Sequence, residues 1–162
     1  MRRTGSLQNP SALDMKPSHD SGANEQSLGT LLKRAEQAML KSKTAALKPV
    51  GLTLAQFVAL SELDTRPGLT AAALARACFV SPQAMMILLK AMEQQGLIER
   101  RPHQRHTNVL EVHVTAAGRE ALHSGRMRIA PLDKRVIGSF NAKEARAFRA
   151  FLVAFINAVE PD

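Results

Sequence analysis

Residues 69–102 read LTAAALARACFVSPQAMMILLKAMEQQGLIERRP, and the rest of the architecture follows from how this segment is parsed. Thr70 stands where a helix N-cap belongs, ahead of the short Ala-rich stretch Ala71–Ala77. Phe79-Val80 interrupts it. Ser81-Pro82 is a second start signal, because proline at the first helical position gives up an N–H that has no helical partner. The helix that follows carries Met85, Leu88, Leu89 and Met92 along one face, and Gly96 closes it. The period then changes from helical to alternating: Leu97, Glu99 and Arg101 interleave with Ile98 and Arg100. Beyond a polar turn over 102–108, Val109–Val114 sets Leu110, Val112 and Val114 on one face and Glu111 and His113 on the other. Two short strands around such a turn predict a hairpin.

Working outward, Thr53 with Gln56 three residues on is a capping box, and Phe57, Leu60 and Leu63 extend an apolar face behind it. Arg66-Pro67-Gly68 ends that helix. Further upstream, Leu28, Leu31, Leu32, Ala35 and Met39 form one stripe of a helix that should stop near Leu47, since Pro49 and Gly51 follow. Residues 1–24 are rich in Ser, Pro, Asn, Gly and Asp without a period and are expected to be a disordered tail. Downstream, Thr115-Ala-Ala-Gly118 opens a fifth helix, which Pro131 is expected to kink or break. Asn141, with Glu144 three residues on, caps a sixth. There Phe148, Phe151, Leu152, Phe155, Ile156 and Val159 make a wide apolar stripe. Periodicity alone leaves two partners open for it, the chain's own core or a second subunit. The expected fold class is mainly α with a small β-hairpin, a winged helix-turn-helix.

Composition narrows the function. The chain has 162 residues, one domain on the usual scale, with 22 Lys and Arg against 14 Asp and Glu for a net charge of +8. The excess is spread: residues 28–69 hold six basic and three acidic groups, and 116–162 hold eight and five. No run is dense enough to read as a basic arm. One cysteine, Cys78, excludes an internal disulfide framework and is expected to be a small buried hydrophobe. The five histidines are scattered, so no metal is expected. No apolar run approaches the ~18 residues of a membrane span, and Met1-Arg2-Arg3 has no apolar stretch behind it, so a cytoplasmic protein without a membrane partner is expected. Trp and Tyr are absent, which disfavours a base-stacking surface for single strands. No nucleophile elbow, P-loop or dinucleotide fingerprint is present, so neither catalytic residues nor a cofactor are expected.

The order helix, short helix, tight connection, helix, hairpin suits double-stranded DNA, because a helix of about 10–12 Å diameter fills the major groove. Here the residues resemble the MarR family of transcriptional regulators. GLTLAQFVALSEL (51–63), LTAAALA (69–75), VSPQAMMILLKAMEQQGLIERRP (80–102) and VTAAG (114–118) are similar to that family's motifs, in one register over roughly 28–158. The resemblance implies a homodimeric repressor of a pseudo-palindromic operator, relieved by a small-molecule effector. It implies a helical dimerisation region at 25–50 and 115–162, a DNA-binding region at 51–114, and an effector pocket between them.

On the family's pattern the base-facing positions fall at Pro82, Gln83, Met86, Ile87 and Lys90. Gln83 can pair with adenine, Lys90 with guanine or phosphate, and Met86 and Ile87 offer only apolar contact, for example to thymine methyls. For Met86 and Ile87, burial is the rival reading. Ser81, at the helix start, can cap, bind phosphate, or do both. Many relatives carry Asp-x-Arg at the wing tip. Here the turn holds His106 and Asn108 at those positions, so Arg105 is the tip's only full cation and, with Arg101, the candidate wing contact. The thin wing and the apolar helix positions favour an alternative, a winged-helix protein-interaction module with little DNA binding. A third reading is a ligand or redox sensor built around Cys78.

Overall fold

A computed structural model describes residues 27–103 and 108–159. The expected tail over 1–24 and the wing-tip residues 104–107 lie outside these. The elements are α1 (Leu28–Leu47), a 3-10 turn (Lys48–Val50), α2 (Leu54–Thr65), α3 (Ala71–Ala77), α4 (Pro82–Gln94), β1 (Ile98–Pro102), β2 (Leu110–Val114), α5 (Ala116–Gly138) and α6 (Ala142–Val159). The helix starts are set by local hydrogen bonds. Gln56 N–H donates to Thr53 Oγ1 while Thr53 N–H donates back to Gln56 Oε1, the full capping box. Thr70, Ser81 and Thr115 each accept from the backbone N–H three residues on. Asn141 Oδ1 accepts from Lys143 and Glu144 N–H, and Glu144 returns a carboxylate to Asn141 N–H.

β1 and β2 pair antiparallel with Arg100 opposite Val112 and Arg101 opposite Glu111. A two-stranded ribbon alone is marginal. This one is tied down by the buried Ile98 and Val112, and by Val112 N–H donating to Leu69 carbonyl at 2.9 Å. The core gathers Leu60 and Leu63 of α2, Leu74 of α3, Met85, Leu89 and Met92 of α4, and Leu122 of α5, with Leu47 closing it from α1.

Pro131 does not break α5, which runs on to Gly138. The proline removes one backbone donor. Its own side chain and that of Met127 one turn earlier are exposed, so the freed carbonyl can turn to water while Leu122 and Ile129 hold the helix from the buried side.

Two backbone positions set the geometry around α4. At Gly118, a Cβ would meet the Leu97 carbonyl oxygen at 2.0 Å, so α5 lies directly on the chain leaving α4. Gly118→Ala is expected to cost about 2–3 kcal/mol; an unchanged urea midpoint would refute that contact. At Phe79, φ is 54°, and Val80 N–H donates to the Ala75 carbonyl at 3.0 Å. Phe79 therefore occupies the left-handed position after a helix that usually takes glycine, and its side chain is 94% exposed. The left-handed cost of about 1–2 kcal/mol exceeds the about 0.5–1 kcal/mol of chain entropy that glycine adds. Phe79→Gly is thus expected to raise the unfolding free energy by about 0.5–1 kcal/mol, read from the same urea titration.

Candidate nucleic-acid interface

α4 is held by its inner face. Met85, Leu89 and Met92 have no exposed surface. Buried Gln56 adds a polar tie, its Nε2 donating to Gln95 Oε1 at the end of α4 at 2.7 Å. Arg100 Nε of β1 stands 3.5 Å from the Glu93 carboxylate, linking the wing to the same helix. The opposite face is open. Ser81, Pro82, Gln83, Met86, Ile87 and Lys90 are all exposed, and Pro82, Gln83, Met86 and Ile87 line one shallow hollow. Among the described residues nothing buries Met86 (46% exposed) or Ile87 (73%). Ser81 Oγ accepts from Ala84 N–H at 3.2 Å, so it caps; its hydroxyl proton is left to donate to a bound anion.

The wing candidates divide. Arg101 is exposed on β1, where its guanidinium pairs with Glu99, so part of its charge is spent within the strand. Arg105 lies outside the described residues. The side chain that sequence reading passed over is Glu111. Alternation placed it on the outer face of β2, and its carboxylate accepts from His113 Nε2 at 2.9 Å with His103 Nε2 at 3.6 Å. The signal was half in the sequence: alternation alone sets Glu111 and His113 on one face of β2, whereas the approach of His103 needs the pairing of β1 with β2. Among the described residues no group of three or more His, Cys, Asp and Glu is arranged to hold a metal ion.

Cys78 is half-buried at the C-cap of α3, packed against the core. Burial pushes its thiol pKa up, the Glu62 carboxylate adds to this, and Arg66 opposes it. A raised value leaves less thiolate, the reactive form, at neutral pH. Ellman's reagent is expected to modify Cys78 more slowly than free cysteine at neutral pH, with the rate still climbing as the pH passes 9.0, the thiol's ordinary value. A rate as fast as the free thiol's would restore the redox reading.

A family model described as "MarR family" matches residues 50–107. The HTH-type transcriptional repressor Rv2887 of Mycobacterium tuberculosis is 35% identical over 130 residues, spanning 80% of this chain and 94% of that protein. The solved structure of the M. tuberculosis MarR family protein Rv2887 in complex with DNA superposes with a TM-score of 0.68 at 34% identity, covering 81% of this chain and 98% of that one. Its complex with salicylic acid gives 0.66 at 34% identity, covering 82% and 98%.

Proposed function

The chain belongs to the MarR family, and from that membership and the uncovered face of α4 we propose that it is a homodimeric transcriptional repressor of double-stranded DNA in the cytoplasm. The observation that carries the reading is the division of α4: one face without exposed surface, the other free from Ser81 to Lys90. Each subunit lays α4 into the major groove of one half-site, with half-sites about 10 bp apart. Gln83, Met86, Ile87 and Lys90 meet base edges, Pro82 packs beside them, and Ser81 donates to a phosphate. Arg101 and Arg105 carry the wing's contacts. Among the described residues no single helix is long and apolar enough to cross a membrane.

Residues 25–50 and 115–162 form the dimerisation region, and 51–114 the DNA-binding region. Support for the division comes from exposed apolar side chains on both flanking parts: Leu28 and Leu31 of α1, and Phe151, Val153, Ile156 and Val159 of α6. A small-molecule effector relieves repression, as the salicylic acid complex of the relative suggests. Its place is the cavity of about 320 Å³ lined by Leu40 of α1, Leu54 and Val58 of α2, Val80, and Met85 and Leu88 of α4. A ligand there touches α1 and the inner face of α4 together. It shifts the balance only by its preference for one α4 spacing.

A duplex selected from a random pool with the full-length protein tests the reading. The selected sequence is expected to be a two-fold repeat, bound about 10³–10⁵-fold more weakly at 200 than at 50 mM salt if roughly 6–10 phosphates are neutralised. Gln83→Ala should relax preference at one base pair, costing about 1–3 kcal/mol there. Arg105→Ala should weaken binding with little change of preference. Failure to enrich any sequence, with no retention at low salt, would favour the protein-interaction module.

A further inference from the structure

Glu111 stands where three parts of the DNA-binding region meet. Its backbone bridges to Thr70 ahead of α3. Its carboxylate lies against Gly68, where a Cβ would come within 3.3 Å of the Glu111 Cδ. Its two oxygens face His113 Nε2 at 2.9 Å and His103 Nε2 at 3.6 Å. His103 is also the residue that closes the hairpin, its N–H donating to the Val109 carbonyl at 2.8 Å just before the tip. One carboxylate, walled in by the loop after α2, thus holds an imidazole from each limb of the wing.

We propose that Glu111 is the positioning residue of the wing, and that its pairing with His103 and His113 makes the wing's hold on DNA tighten as protons are taken up. The inference rests on the DNA-binding reading above. Neutral His113 donates one N–H, from Nε2, to the carboxylate, while His103 at 3.6 Å lies within ion-pair but not hydrogen-bond distance of it. Taking up a proton at Nδ1 makes His113 a cation on the same hydrogen bond, which is stronger when both partners are charged. The surrounding charges leave this change uncompensated. Glu99 and Arg101 stand opposite His113 and Glu111 on β1 and pair with each other. Asp64 of α2 and Arg119 of α5 share a hollow with His113, and Asp64 pairs with Arg126 of α5 at 2.8 Å. Among the described residues named here, three carboxylates, counting Glu111, stand with three guanidiniums, so protons taken up by the imidazoles add to the charge of the wing base. Imidazole is the side chain whose charge changes between about pH 5 and 8. Each proton gained stiffens the wing's root and adds a positive charge beside the strands that carry Arg101 and lead to Arg105, which strengthens attraction to phosphate.

The test compares, within each protein, the affinity for the selected duplex at about pH 6 and about pH 8 at fixed salt. Wild type is expected to bind on the order of tenfold tighter at the lower pH. The double variant H103Q/H113Q keeps a neutral N–H donor at nearly the reach of Nε2 but takes up no proton; its ratio should fall below about threefold. E111Q should also shrink the ratio, because the imidazolium loses its anionic partner. H123Q, on an exposed position of α5 outside the DNA-binding region, should keep the wild-type ratio. Matching thermal midpoints show that each variant folds. A wild-type ratio near one overturns the inference, as does a full ratio in H103Q/H113Q or its loss in H123Q alone. If no duplex is retained by wild type at either pH, the DNA-binding reading falls first; if wild type binds and H103Q/H113Q follows its pH profile, only this inference falls.

Discussion

The seating of α4 by one face governs everything else in the molecule. Met85, Leu89 and Met92 are fully enclosed, and each such side chain contributes about 1.5–3 kcal/mol by leaving water. That is enough to fix the helix's rotation about its own axis. With a period of 3.6 residues, fixing those three leaves Gln83, Met86, Ile87 and Lys90 on the far side. The polar ties refine this. Gln56 is nearly enclosed, so its amide must be satisfied; it spends its oxygen on the α2 cap and its nitrogen on Gln95. The start of α2 and the end of α4 are thereby held in one relation. Gly118 holds the other side, where the Leu97 carbonyl occupies the space a side chain would need and Thr115 Oγ1 donates to the Gly96 carbonyl at 2.6 Å.

The chemistry of the free face differs from what the overall charge suggests. The chain carries +8, yet Lys90 is the only charged residue between Ser81 and Met92. Phosphate attraction must then come from around the helix, while α4 itself offers one amide and apolar side chains to the groove. Contacts of that kind discriminate thymine from cytosine by a methyl group and leave much of the selectivity to duplex shape. Between Ile98 and Val114 three arginines stand against two glutamates, so the cationic character that α4 lacks is supplied by the wing without altering the reading surface.

Most of the fold was legible because it is written in local chemistry. Caps at Thr53, Thr70, Ser81, Thr115 and Asn141 each need only three or four neighbouring residues, and all five form the expected bonds. The inward residues of α4 were legible for the same reason. What sequence left open depends on residues far apart. Whether Met86 and Ile87 are covered is decided by what packs over them, and periodicity carries no such information. What gathers at Glu111 beyond His113 became visible only through the pairing of β1 with β2 and the approach of Gly68. The rule for Pro131 concerns one hydrogen bond and left a kink or a break open; α5 runs unbroken to Gly138, with Leu122 and Ile129 buried along it.

α6 turns the division of α4 into a reading of distance. None of its residues is buried, although Phe151 is 72% exposed and Phe148 stacks on Phe140 at 5.2 Å. An apolar stripe of this width left in water is unfavourable for a lone chain and favourable as half of a two-fold contact. α5 packs on α1 and α2 and begins on the chain leaving α4. At that joint the Leu97 carbonyl leaves no room for a side chain on Gly118, so the start of α5 and the chain leaving α4 meet through backbone contact.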